Sequence, residues 1–319
     1  MARNKVQFQK GLSLAAFNKL YGTDDLCHAA LVAMRWPDGF VCPKCEGRRH
    51  SFLRAKRLFQ CTGCRLQTSV KAGTIFHQSR TPLTKWFLAM HLLASSKNDI
   101  AGLELARQLD VKWDTAWLIK QKLMEVMRQR NSIYKLAGDI QIDDAYLGGE
   151  RPAKPGKSGR GAVGKIPFLI AVATRDGKPI HMQLRVVSGF TKDAVKDFAA
   201  ASIAPGSRVV SDGLACFNGI ADAGMIHTPV VTGRGRPTDA RFKWVNTALG
   251  NVKSAITGTC RSCDQHHTPR YLAAYEWRFN RRFDLRRNLA RLGRAATRTK
   301  PKPHRTIAEI SPKAADQPG

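Results

Sequence analysis

The chain has 319 residues, 53 of them Lys or Arg against 24 Asp or Glu, which gives a formal net charge of +29 and a pI near 10.4. So basic a balance argues against an ordinary small-molecule enzyme and points to a polyanionic partner, of which nucleic acid is the commonest. No apolar run approaches the ~20 residues that span a bilayer, and Met1-Ala2-Arg3-Asn4-Lys5 leads into no apolar signal core, so the expected location is cytoplasmic with no membrane partner.

Residues 1–35 read as N-terminal helices. Leu12, Leu14, Phe17 and Leu20 recur at roughly helical spacing, then Thr23-Asp24-Asp25 offers an N-cap before Leu26, Ala30, Leu31 and Met34. The breaker Trp36-Pro37-Asp38-Gly39 opens a second module, residues 36–72. Here Cys42-Pro43-Lys44-Cys45 and Cys61-Thr62-Gly63-Cys64 flank a basic, β-prone insert. A two-residue spacer lets both sulfurs of each pair reach one tetrahedral Zn²⁺, so Cys42, Cys45, Cys61 and Cys64 read as a closed, structural zinc site of ribbon shape. Arg48, Arg49, His50, Arg54, Lys56, Arg57 and Arg65 surround it, which suits either nucleic-acid contact or protein docking.

Residues 73–133 read as helical. The run Trp86–Leu93 is apolar, Ile100–Leu109 forms a helix, Asp110-Val111 a short turn, and Thr115–Met127 a second helix. That spacing fits a helix-turn-helix-like DNA-binding module whose second helix, through Trp113–Lys122, would enter a major groove; a plain helical bundle is the other reading.

From Asp139 the pattern changes to strands, expected at Asp139–Leu147, Ile166–Ala173 and Ile180–Val187, then a helix at Thr191–Ala201 and a strand at Ser207–Ser211. The order β-β-β-α-β followed by further α and β predicts an α/β, ribonuclease H-like layered sheet over residues 134–292. A Gly- and Lys-rich basic loop, Arg151–Lys165, interrupts it. Residues 272–282 read as a helix that continues through Leu285 and Leu289, and 293–319 as a basic disordered tail.

Ile142-Asp143-Asp144 and Ser211-Asp212-Gly213 put carboxylates at the ends of β-prone runs in a strongly basic chain. Carboxylates brought together need a cation, and a divalent metal supplies one. Strand alternation sends Asp143 and Asp144 to opposite faces, so only one of them is expected to join a site. Asn246 and Lys253 lie seven residues apart in a helix-compatible segment, two turns along one face. Glu276 is a rival third ligand unless Arg278, Arg281 and Arg282 neutralise it. Cys260-Arg261-Ser262-Cys263 with His266-His267 lacks a second knuckle and reads as solvated loop rather than zinc.

Together these stretches resemble the zinc-ribbon insertion-sequence transposases of the DDE superfamily, in the ISXO-like group numbered fifteen-ninety-five, whose third acid is often Asn. The resemblance is carried by Arg35–Cys45, Ala72–His77, Lys85-Trp86-Phe87, Ile142–Gly149, Ser211-Asp212-Gly213, the Asn246–Lys253 segment and Arg278–Arg282. It implies a DNA transposase that binds element ends and cuts and joins strands, acting on double-stranded DNA, at both the ends and the target, as a homo-oligomer on the bacterial nucleoid. It further implies Asp143, Asp212 and Asn246 as ligands of catalytic Mg²⁺ or Mn²⁺ and Lys253 as a DNA-contacting lysine. Two departures stand out: Asp144 where the family has Glu, and Cys260-Arg261 where it has Tyr-His. The rival readings are a non-catalytic DNA-binding regulator descended from a transposase and a ribonuclease H-like nuclease.

Overall fold

The computed structural model describes residues 9–148, 165–231, 240–260 and 264–308. The chain falls into two compact units, one running to Met127 and resumed at Arg281, the other Arg128–Asn280.

The first unit begins with α1 (Leu14–Tyr21) and α2 (Asp24–Arg35). Thr23 caps α2 as the sequence predicts, its Oγ1 accepting the Leu26 N–H, and Ser13 does the same for α1, its Oγ accepting the Ala16 N–H. Three short antiparallel strands follow, β1 (His50–Leu53), β2 (Leu58–Cys61) and β3 (Gln67–Ser69), with β2 central. Arg57 pairs with both Asp24 and Asp25, and the Arg35 guanidinium donates to the Ser69 and Val70 carbonyls at 2.9 and 2.7 Å, so α2 is tied to this sheet.

Three helices come next: α3 (Leu83–Ser95), α4 (Gly102–Leu109) and α5 (Trp113–Asn131). Asp110, at φ 49°, makes the sharp turn between α4 and α5. The helix-turn-helix connectivity is therefore present, but Ile119 to Met127 are all buried. Lys120 donates to the Ile100 carbonyl at 2.6 Å and pairs with Asp99 at 2.9 Å, and Lys122 is only 8% exposed. The second half of the segment expected to enter a groove, Ile119–Lys122, is thus buried inside the unit and not open to a partner.

The second unit holds a five-stranded sheet: β4 (Asp139–Leu147), β5 (Ile166–Arg175), β6 (Lys178–Val186), β7 (Arg208–Asp212) and β8 (Ile226–Val230). The order is β6-β5-β4-β7-β8, with β4-β5 and β5-β6 antiparallel and β4-β7 and β7-β8 parallel. An antiparallel meander extended by parallel strands through helical crossovers is the ribonuclease H-like arrangement. The crossovers are α6 (Lys192–Ser202) into β7 and α7 (Gly219–Asp222) into β8. After β8 come α8 (Lys243–Cys260) and α9 (Thr268–Asn280).

One sheet face packs Ala145, Phe168, Ile170 and Val172 against Val245, Leu249, Val252 and Leu272 of α8 and α9. The other packs Ile140, Ile142, Leu169 and Ala171 against Val195, Phe198, Phe217 and Ile220. Covered on both faces, β5 reads as the unbroken apolar run Phe168–Ala173 rather than an alternation.

The helix expected to continue past residue 282 instead stops at Asn280. Its side-chain amide accepts the Met182 N–H at 2.7 Å and donates to the Met182 carbonyl at 2.8 Å, which ends α9 against β6. A new helix, α10 (Asn288–Arg298), belongs to the first unit, where Leu289, Leu292 and Ala296 are buried and Ile75 N–H reaches the Ala296 carbonyl at 3.4 Å. A short α11 (His304–Ala308) follows. The second compact unit is Arg128–Asn280, so residues 281–292 fall in the first, and the stretch read as a tail from 293 is helical to Arg298 and over His304–Ala308, because α10 carries an apolar face for burial. Residues 309–319 of that tail, and most of the Arg151–Lys165 loop, lie outside the described residues.

Candidate functional site

Strand register brings the two aspartates together. Ile140 and Gln141 of β4 pair with Val209 and Val210 of the parallel β7, and the same offset carried two residues on sets Asp143, midway along β4, level with Asp212 at the end of β7. Both follow the parity of Gln141 and Val210, so both face the layer of α8 and α9. One carboxylate oxygen from each of Asp143, Asp144 and Asp212 lies within 4.8 Å of those of the other two, all three residues being half-buried.

Asp144 thus corrects the expectation that alternation admits only one of the adjacent aspartates. The Asp143 side chain leans along its own strand, its Oδ1 accepting the Asp144 N–H at 2.9 Å, and the two carboxylates approach in mid-strand despite opposite parity. Asp212 is fixed in a similar way: its Oδ1 accepts the Leu214 N–H at 3.2 Å across a tight turn.

The cluster is electrostatically short of a cation. Burial pushes the Asp143 carboxyl up to about 7; the Asp144 N–H opposes this, the charges of Asp144 and Asp212 add to it, and Lys253 draws it back. A divalent ion with oxygen ligands answers such a set, so the donors fit a Mg²⁺- or Mn²⁺-type ion.

Helix α8 carries the other two residues. Gln141 Oε1 accepts the N–H groups of both Trp244 and Val245, each at 3.0 Å, and so holds the first turn of α8 on β4, two residues from Asp143. Asn246 follows Val245 in that turn and is half-buried, while Lys253 is exposed yet close enough to act on the Asp143 charge. At ~100° per residue the pair lies within about 20° on one flank of the helix, beside its buried stripe Val245, Ala248, Leu249, Val252.

Glu276 is elsewhere. It is 2% exposed on α9, and its Oε2 accepts the Leu184 N–H at 3.0 Å on β6, the sheet edge two strands away from β4. Among the described residues it is not in the acidic set. Arg261–Cys263 of the Cys260–Cys263 motif lie outside the described residues.

The four ribbon cysteines also converge, with Sγ atoms within 4.8 Å of one another, Cys42 to Cys64 at 3.5 Å and Cys45 to Cys61 at 3.6 Å. The two knuckles share one backbone design. Cys42 N–H bonds the Gly47 carbonyl and Cys61 N–H the Leu66 carbonyl, each 3.0 Å, with Glu46 at φ 58° and Arg65 at φ 61° making matching left-handed turns. Burial alone would raise the Cys42 thiol, but the Cys45 and Lys44 N–H groups and the sulfurs of Cys64 and Cys45 bring it down to about 6. Four sulfurs this close cannot all ionise without a cation, and their number and spacing fit tetrahedral zinc with no open position.

Sequence reasoning missed Gln141, because a polar residue between isoleucines reads as a solvent-facing strand position. Only its shared parity with Asp143 marks it.

Comparison with known proteins follows the same division. Residues 22–67 match the family described as a transposase zinc-ribbon domain, and residues 135–280 the ISXO2-like transposase domain. An uncharacterized protein in transposable element ISH50 of Halobacterium salinarum is 27% identical over 155 residues, covering 44% of this chain and 51% of that protein. The chain thus spans about half the length of that relative. Two solved structures resemble it remotely. The catalytic core domain of BIV integrase has 17% identity and a TM-score of 0.29, over 43% of this chain and 81% of that one. A pre-cleavage Mos1 transpososome has 11% identity and a TM-score of 0.20, over 60% and 74%. Residues 22–67 thus belong to the transposase zinc-ribbon family and residues 135–280 to the ISXO2-like transposase family, one in each compact unit.

Proposed function

We propose that this protein is a DNA transposase that binds the ends of its element and carries out metal-dependent strand cleavage and strand transfer. The observation that supports this most is the convergence of Asp143 and Asp144, midway along β4, with Asp212 at the end of β7, within the matched transposase domain.

In this reading Asp143 and Asp212 hold the divalent ions, and Asn246 adds an amide oxygen in place of a third acid. Asp144 stands within reach of the same ions. When bound, such ions activate the attacking oxygen and stabilise the leaving one in phosphodiester chemistry. An Asn ligand adds no charge, so ion affinity is lower than for three acids. Lys253, on the same flank of α8 as Asn246, places an ammonium against the phosphate of the strand being cut. Gln141 keeps that flank in register with the aspartates. Cys42, Cys45, Cys61 and Cys64 hold a structural zinc that gives the ribbon a core it is too small to build from apolar residues.

The partners in this reading are double-stranded DNA, as element end and target, and further copies of the chain, since joining two ends calls for a symmetric assembly. A pre-cleaved element end incubated with plasmid and Mg²⁺ tests it. Joined product supports a transposase; cleavage without joining indicates a nuclease, and end binding without either indicates a regulator.

A further inference from the structure

Helix α10 lies beyond both family matches, which end at residues 67 and 280. Its sequence, Asn288-Leu289-Ala290-Arg291-Leu292-Gly293-Arg294-Ala295-Ala296-Thr297-Arg298, divides cleanly. Leu289, Leu292, Gly293, Ala295 and Ala296 are buried against α2 and α3, while Arg294 and Arg298 are exposed. At ~100° per residue, Arg287, Arg291, Arg294 and Arg298 fall within a stripe about 60° wide along the helix.

The stripe is rigid and only partly neutralised. A Cβ built on Gly293 would stand 2.3 Å from Met34 Sδ, so α10 sits tightly on α2. Asp284 answers Arg291 at 2.9 Å and reaches Arg287 at 3.7 Å. Among the described residues no carboxylate pairs with Arg294 or Arg298. Two unanswered guanidinium groups, one turn apart on a helix already ordered by its other face, need no folding on contact to meet a polyanion.

We propose that the Arg291–Arg294–Arg298 stripe of α10 is a docking face for the sugar–phosphate backbone of duplex DNA. From Arg291 to Arg298 the helix rises about 10 Å, the axial length of about three nucleotides of one strand. Arginine forks suit phosphate oxygens, and a face with no exposed base-reading side chain between the arginines suits sequence-independent contact. A lipid surface fits less well, because the apolar side of α10 is already buried against α2 and α3. The inference rests on the reading of the chain as a DNA-acting protein and adds a contact outside the catalytic unit.

The test is fluorescence anisotropy of full-length protein on a duplex of arbitrary sequence across a salt series. Replacing both exposed residues, Arg294→Gln with Arg298→Gln, is expected to lower the salt slope by about two and the affinity near 0.1 M salt by more than about tenfold. Arg294→Lys with Arg298→Lys keeps the charges and should restore the slope. Lys10→Gln with Lys19→Gln removes as much charge from the same unit and should move the slope less. Asp284→Asn, which frees Arg287 and Arg291, should tighten binding. The proposal is overturned if the Arg294/Arg298 double variant keeps the wild-type slope, if it matches the Lys10/Lys19 control, or if it loses binding to vesicles of one-third phosphatidylserine while keeping DNA affinity. A wild-type chain that joins strands while the slope stays put sinks this inference alone; a slope that falls in a chain that never joins strands sinks the transposase reading alone.

Discussion

Gln141 Oε1 accepts the Val245 N–H at 3.0 Å, and the neighbouring Trp244 N–H at the same distance, so one side chain on β4 closes the first turn of the helix that carries Asn246 and Lys253. Gln141→Leu leaves two N–H groups without that acceptor, a loss on the order of 1–3 kcal/mol. Strand transfer should fall more than tenfold while element-end binding stays within about threefold. Gln141→Glu, which keeps an acceptor at the helix N-terminus, should recover most of the activity. Loss of binding and activity in equal measure would mean that the residue serves folding alone.

The acidic set works against the metal-free fold, since Asp143 is half-buried beside two like charges and its carboxyl is held far above the usual range. Asp143→Asn is therefore expected to raise the thermal midpoint measured without Mg²⁺ or Mn²⁺, by a few degrees. It should also abolish the stabilisation that either ion gives the wild type. Differential scanning calorimetry with and without ion reads both effects.

In the ribbon, Cys61 lies at the end of β2 with its sulfur among the other three. Cys61→Ser should release bound zinc, read by a chromogenic chelator, and melt the β1-β2-β3 sheet while leaving the β4–β8 sheet folded. Amide exchange in the two sheets distinguishes them; protection of β1–β3 without zinc would speak against a structural metal.

Gly219 begins α7 where it crosses the start of α6. A Cβ there would stand 2.3 Å from the Lys192 carbonyl oxygen and 3.0 Å from the Lys196 nitrogen, both backbone atoms that cannot swing aside. Gly219→Ala should cost about 1–3 kcal/mol of stability, seen as a lower urea midpoint at unchanged slope.

What the residues announced and what they concealed follow from how local each signal is. The strands β4 to β7 were legible because β-branched runs declare themselves within a few residues, with Asp143 inside one and Asp212 at the end of another. The meeting of these aspartates with Asp144 was not legible, because a side chain leaning along its own strand defeats the rule of alternating faces. Strand β8 went unread: Ile226-His227-Thr228-Pro229-Val230 contains a proline, which argues against a strand except at a sheet edge, where β8 lies. Helix α10 was readable as amphipathic, but its partners α3 and α2 lie roughly 200 and 260 residues earlier, and nothing local announces that return.

The most direct measurement is Mn²⁺ binding followed by electron paramagnetic resonance on the wild type, Asp143→Asn and Asp212→Asn, each with element-end DNA affinity measured alongside. The account predicts that each single change weakens Mn²⁺ binding more than tenfold and removes strand transfer, with DNA affinity preserved. Undiminished Mn²⁺ binding in either variant would contradict a metal shared between β4 and β7.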